Sequence, residues 1–259
     1  MNVGTAKPSP EELAEVRHHL VNSLSVYDDY SAGKFETDAL ECILKIFSDH
    51  DYAILCGGSG LYVELVCSGA DELPVKNEEL RSQLNKLFSE KGVTALQEKL
   101  LKLDPEFYHE VDLNNPHRLI RAIEVCLVTG KKFSDLRTSR KNKRPFNIIK
   151  VGLEDEREKV YQQIDQRVDL MIARNLLGEA RSLHDARHFN ALRTVGYTEL
   201  FEFIDGKLSF EEAVKQIKQH TRNYAKRQWT WFRRDQSIRW FKPDNLQEIS
   251  EFIFSRSGE

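Results

Sequence analysis

Across residues 35–48 the apolar side chains of Ala39, Ile43, Ile46 and Phe47 recur at helical spacing, which predicts a helix. Residues 52–56 (YAILC) form a short continuous apolar run and predict a strand buried on both faces. Gly57, Gly58 and Gly60 then make a turn, and LYVELV predicts the start of the next helix. Strand, glycine turn and helix in this order is the grammar of a parallel α/β sheet. From Asp71 to Asn142 the pattern changes to Leu-, Glu- and Lys-rich segments, broken at Gly92, Asp104-Pro105 and Asn114-Asn115-Pro116. No strand pattern returns until residues 146–154 (FNIIKVGLE). The expectation is an α/β core of residues 1–71 and 143–259, interrupted by a helical insertion over 72–142. More helices follow, and residues 237–243 (SIRWFKP) predict a short last strand. The first 30 residues, with Pro8 and Pro10, read as loop.

Composition narrows the class. The 259 residues are 40% hydrophobic and 10% aromatic, enough for a buried core and unlike a disordered chain. No apolar run approaches the roughly 18–20 residues that cross a bilayer, and MNVGTAKPSPEE lacks a signal-peptide apolar region. A cytoplasmic protein without membrane contact, and a monomer, is expected. Cys42, Cys56, Cys67 and Cys126 are widely spaced and form no CxxC pair, so buried free thiols are expected rather than zinc ligands or disulfides. Net charge is only −3, but residues 137–144 (RTSRKNKR) and 214–234 (VKQIKQHTRNYAKRQWTWFRR) are strongly basic. Such blocks are either solvated helix faces or a local positive field for a polyanion.

Four stretches could carry chemistry, and each has a plainer reading. The turn GGSGLY places backbone N–H groups and the Ser59 hydroxyl at a helix start, where phosphate binds readily; the plainer reading is an ordinary turn. In NNPHRLIRAIEV, Arg118 and Arg121 share a helix face and could grip a phosphate, or pair with Glu124 or Asp112. In RTVGYTEL, Gly196 marks a close backbone approach, to a neighbouring helix or to a ligand. In the last basic block, Val214, Ile217, Thr221, Tyr224, Gln228 and Trp231 form a core-facing stripe, while Arg222, Lys226 and Arg233 project elsewhere with Arg227 and Arg234 beside them. Basic residues at one-turn spacing can follow a nucleic-acid backbone, and Tyr or Trp can stack on unpaired bases or simply fill the core.

Taken in order, GTAKP (residues 4–8), HHL (18–20), GGSGLY, HRLIRAIEV, RTVGYTEL and TRNYAKRQWTWFRR resemble the tRNA dimethylallyltransferase (isopentenyltransferase) family along essentially the whole chain. The resemblance implies a P-loop-kinase-like parallel sheet with a helical insertion that clamps the anticodon stem-loop. It also implies transfer of a dimethylallyl group from dimethylallyl diphosphate to N6 of the adenosine 3′ of the anticodon, with Mg2+ assisting the departing diphosphate. The adenine would be drawn out of its stack. By the same resemblance Arg167, in DQRVDLM, binds the diphosphate. Ser59, in place of the family's usual threonine, and Arg81 contact tRNA. So do His117, Arg118, Leu119, Ile120 and Arg121; Arg193, Thr194, Val195, Gly196, Tyr197 and Thr198; and Thr221, Arg222, Asn223, Tyr224, Ala225, Lys226, Arg227 and Gln228. The family's first strand, its GPTxSGKT loop and the aspartate that serves as general base have no counterpart here, and no GxxxxGK[ST] occurs in the 259 residues. The sequence therefore predicts a weakly active or inactive chain, poorly stable alone, or a non-catalytic tRNA-binding remnant.

Overall fold

Side-chain caps decide where many of the helices begin. This computed structural model describes residues 1–257 other than 6, 70, 72, 75 and 138–141. Ala6 of GTAKP, Glu72 at the expected start of the insertion, and Thr138 to Lys141 of the first basic block therefore lie outside the described residues. In chain order the elements are α1 (Pro10–Glu15), α2 (Ala32–Ile46), α3 (Gly60–Ser68), α4 (Glu78–Leu103), α5 (Pro105–Glu110), α6 (Pro116–Thr129) and α7 (Phe133–Leu136). There follow β1 (Val151–Leu153), α8 (Arg157–Ala173), α9 (Leu176–Leu183), α10 (Tyr197–Ile204), α11 (Phe210–Phe232), β2 (Arg239–Phe241) and α12 (Leu246–Arg256).

Ser31 caps α2, Asn77 caps α4, Asp104 caps α5, Asn115 caps α6 and Ser209 caps α11, each side-chain oxygen accepting an otherwise orphaned backbone N–H. Pro105 and Pro116 sit at first helical positions, where no N–H is needed. Gly92 breaks α4 with a φ of 73°. The first 30 residues are not all loop: Ser9 and Glu12 form a reciprocal capping box with Pro10 at the start of α1. The Ser-x-x-Glu signal was present in SPEE, and the prolines masked it.

The chain divides into two units, one of residues 1–67 and 145–259, the other of 68–144. In the first, β1 and β2 pair in parallel, Val151 beside Arg239 and Leu153 beside Phe241, with α8 to α11 as the crossover. Its core joins α8 to α11 through Val168, Leu176, Ala180, Leu192, Tyr197, Leu200, Ala213 and Ile217. In the second, α4 packs on α6 around Leu84, Leu96, Leu100, Leu119, Ala122 and Ile123, with Phe107 and Phe133 in edge-to-face contact. Each such leucine contributes roughly 1.5–3 kcal/mol through the apolar area it removes from water. The protein is thus a helix-rich α/β fold with a small parallel sheet.

The expected buried strand at residues 52–56 is not one. The segment has no regular secondary structure, no strand pairs with it among the described residues, and Ile54 is 92% exposed. An apolar run marks a buried strand only when neighbouring strands supply its ladder. Cys56, in the same run, is correspondingly exposed, against the expectation that all four thiols are buried; only Cys126 is fully so, and all four are free. The strand predicted over 146–154 is confined to Val151–Leu153.

Candidate functional site

In the first unit the glycine turn lies directly against α11. Gln228 Nε2 donates to the Gly58 carbonyl at 2.9 Å. A β-carbon on Gly58 would collide with that amide, and one on Gly60 with the Trp231 indole. At Gly58 and Gly60 the helix occupies the space that a side chain would need, whereas Gly57 faces open space. Ser59 is exposed between these two contacts, at the N-terminus of α3.

The stripe on α11 divides into two halves. Ile217 is buried and Thr221 half-buried, its hydroxyl donating back to the Ile217 carbonyl at 2.7 Å. Tyr224, expected in the core, is instead 42% exposed, with Arg227 over its ring at 5.6 Å. Ala225 and Gln228 are half-buried, and Asn223 is exposed and accepts from Gln219. The basic residues also separate. Arg222 reaches Asp165 on α8 at 2.5 Å, and Arg233 pairs with Glu154 and stacks on Trp229 at 4.2 Å. Lys226 and Arg227 are exposed and have no carboxylate partner among the described residues. They form the open part of the positive strip.

RTVGYTEL leads into α10. Arg193, Thr194 and Thr198 are exposed, Val195 is half-buried, and Gly196 and Tyr197 are buried. Gly196 has a φ of 98°, and its N–H donates to Glu199 at 2.7 Å. The other oxygen of Glu199 meets His220 Nδ1 on α11 at 2.6 Å. This buried carboxylate ties the loop to the head of TRNYAKRQ. Tyr197 is fully buried, so any role it has in ligand binding is exerted through its neighbours.

A shallow cavity of about 550 Å³, wide open to solvent, in the same unit is lined by Lys7, Pro8, Glu12, Glu15, Val16, His18 and Arg167. Arg167 stands exposed on α8. Lys7 donates to Asn2 Oδ1 at 2.9 Å and also to Asn22 Oδ1. His18 Nδ1 donates to the Val16 carbonyl at 2.7 Å. Lys7 and His18 belong to the GTAKP and HHL motifs, yet composition and periodicity gave no reason to single out either residue. Only the fold brings these loops beside α8.

In the second unit the arginines are used differently from the phosphate grip. Glu124 is fully buried. It accepts from Arg81 Nε at 2.8 Å and Nη2 at 2.9 Å, from Arg121 at 2.8 Å, and from the Asn77 backbone N–H at 2.8 Å. Arg121 also donates to the Pro74 carbonyl at 2.9 Å. Of the two readings open for Arg121, pairing with Glu124 is the one observed, and Arg81 shares it. Leu119 and Ile120 are buried in the core of this unit. His117 and Arg118 are exposed on the first turn of α6.

Burial alone would raise the pKa of Glu124, but Arg81, Arg121 and the Asn77 N–H more than offset it and hold the carboxyl below its ordinary 4.5. Asp104, also buried, is held below its ordinary 3.8 against burial by the Phe107 and Ser134 N–H groups and the Ser134 hydroxyl. A carboxyl depressed in the folded state stabilises above its ordinary value, and that stability is lost as pH falls through the folded one. The melting temperature is therefore expected to fall as pH drops below about 4.5. Circular-dichroism melts should show a shallower fall in Glu124→Gln; identical slopes in variant and parent would remove Glu124 from the explanation.

Among the described residues no group of three or more His, Cys, Asp or Glu side chains could hold a metal ion, and no helix is long and apolar enough to cross a membrane.

Comparison with known proteins adds an independent line. The IPP transferase family profile matches residues 1–235. A tRNA dimethylallyltransferase of Christiangramia forsetii is 47% identical over 257 residues, covering 99% of this chain and 85% of that protein. A tRNA dimethylallyltransferase 1 of Bacteroides thetaiotaomicron is 43% identical over 253 residues, covering 98% and 82%. Among solved structures, the full-length tRNA isopentenylpyrophosphate transferase of Bacillus halodurans superposes with a TM-score of 0.71 at 33% identity, covering all of this chain and 84% of that one.

Proposed function

The chain belongs to the IPP transferase family, and on that premise we propose that it transfers a dimethylallyl group from dimethylallyl diphosphate to N6 of the adenosine 3′ of a tRNA anticodon. In this reaction a bond forms between N6 and the allylic carbon, the carbon–oxygen bond to diphosphate breaks, and N6 loses a proton. The observation that carries the reading is the glycine turn locked onto α11, with Ser59 exposed beside a helix that offers Lys226, Arg227 and the accessible Tyr224 ring. Charge and an aromatic face together suit an unpaired RNA loop. Exposed Arg193, Thr194 and Thr198, and in the second unit His117 and Arg118, are the further RNA contacts we propose. Residues 72–142 would serve as the tRNA-binding insertion.

Arg167 fits the leaving diphosphate, because its planar fork of donors matches phosphate oxygens and stays charged throughout. Among the described residues no cluster of His, Cys, Asp or Glu side chains fits a magnesium ion.

A second reading, an RNA-binding protein without transfer, is favoured by the exposed Lys226, Arg227 and Tyr224, which suit RNA without themselves supplying any chemistry. One experiment separates the readings. The chain is mixed with dimethylallyl diphosphate, Mg2+ and an anticodon stem-loop, and the RNA is weighed by mass spectrometry for one added prenyl group. Modified RNA supports the first reading; unmodified but salt-sensitively bound RNA supports the second. RNA neither modified nor bound would reject both. Under either reading, replacing Lys226 and Arg227 together by alanine should flatten the plot of log affinity against log salt by about 1.4, at roughly 0.7 per single-strand phosphate contact. An unchanged slope would move the RNA off α11.

A further inference from the structure

The segment that brings Lys7 to the cavity is held at one point by a half-buried clamp. Glu179, on α9, accepts the backbone N–H groups of Asn2 at 2.8 Å, Val3 at 3.0 Å and Gly4 at 3.4 Å. The hydroxyl of Tyr197 donates to the same carboxylate. Three consecutive backbone donors converging on one anion fix the local backbone as a concave nest. Gly4 lies so close to the Tyr197 ring that a β-carbon there would collide with it. That ring is fully buried and cannot swing aside. Burial would raise the pKa of Glu179, but the Tyr197 hydroxyl and the three N–H groups more than compensate and keep it ionised.

The clamp has a defined geometrical consequence. Arg167 lies on α8, and α9 begins a few residues after α8 ends, turned by Asn175 at a φ of 67°. One α-helical hairpin therefore carries both Arg167 and the carboxylate that anchors residues 2–4. Three residues beyond that anchor, Lys7 reaches the cavity that Arg167 also lines. Two of the three donors of its ammonium group go to Asn2 and Asn22, which hold it in place and leave one for an anion.

We propose that Glu179 and Tyr197 are positioning residues, which by holding residues 2–4 place Lys7 so that it and Arg167 face one bound diphosphate. This rests on the reading of Arg167 as the diphosphate ligand. It adds a second cation to that subsite and a reason for Gly4: the segment must pass against a buried ring without a side chain.

The test uses the full chain, inorganic diphosphate and an anticodon stem-loop, with both affinities measured by calorimetry on Glu179→Gln, Tyr197→Phe and Arg167→Gln. Glu179→Gln and Tyr197→Phe should each weaken diphosphate binding about tenfold, since misplacement of a binding group by about 1 Å can cost up to 10². Stem-loop affinity should stay within about twofold, which a merely structural loss would not allow. Tyr197→Phe keeps the buried ring and so reports even where Glu179→Gln fails to fold. Diphosphate affinity unchanged in both clamp variants but lost in Arg167→Gln would overturn the clamp alone. Affinity unchanged in Arg167→Gln, or no diphosphate binding by the parent chain, would overturn the Arg167 reading and the clamp with it. A parallel loss of RNA and diphosphate affinity would reduce the clamp to a fold-stabilising contact.

Discussion

Glu124→Ala is expected to destabilise the protein by roughly 3–5 kcal/mol, the usual cost of removing one partner of a buried charge pair. Glu124 is fully buried, and four hydrogen bonds end on its two oxygens: two from Arg81, one from Arg121 and one from the Asn77 N–H. Its loss leaves two guanidinium groups facing each other and the first turn of α4 without its tie to α6. Both arginines keep about a quarter of their side-chain surface in water, so part of their charge is rehydrated and the lower end of the range applies. Against a total stability of about 5–15 kcal/mol this is a large fraction. Urea unfolding should show a lower midpoint at unchanged slope. A loss below about 1 kcal/mol would mean that the arginines find water and that the α4–α6 apolar contact alone holds this unit.

Gly60→Ala should produce the second large effect, and in the first unit. The added methyl group meets the Trp231 indole, so either α11 shifts or the turn does. Overpacking of this kind costs roughly 1–3 kcal/mol. The Gln228–Gly58 hydrogen bond would be strained together with it. On the proposed function Ser59 would move away from Lys226 and Arg227, and stem-loop affinity should fall along with stability. The cause can be isolated by a double-mutant cycle with Trp231→Ala, which removes the obstacle. Gly60→Ala should cost less in that background than in the parent. Equal costs in both would show that the steric account of this turn is wrong.

Local chemistry was legible wherever it acts within a few residues. The spacing of Ala39, Ile43 and Ile46 marked α2, and Asn115-Pro116 and Asp104-Pro105 marked helix starts that are observed. Family membership was legible too, because six short motifs in order constrain identity more tightly than any one of them constrains structure. What failed at this level depended on distant partners. YAILC has the composition of a buried strand, but burial is a property of neighbours, and Ile54 lies open to solvent. Tyr224 fits a helical core stripe, yet it stays 42% exposed, although Gln228 and Trp231 further along α11 pack against the glycine turn.

The candidate site shows the same division. Arg81, Arg121 and Arg222 look alike in sequence to Arg118, Lys226 and Arg227. Only the fold reveals that the first three face carboxylates, Glu124 or Asp165, while the others stay open. Hydrophobic spacing and caps act over one or two helical turns, so the sequence alone determined most helices, the glycine turn and the family. Pairing of charges across 43 or 57 residues, and the anchoring of residues 2–4 by a carboxylate some 175 residues away, depend on which surfaces the core brings together. That information resides in tertiary packing, because a charged side chain has no local preference for one distant partner over another until the backbone has placed them both.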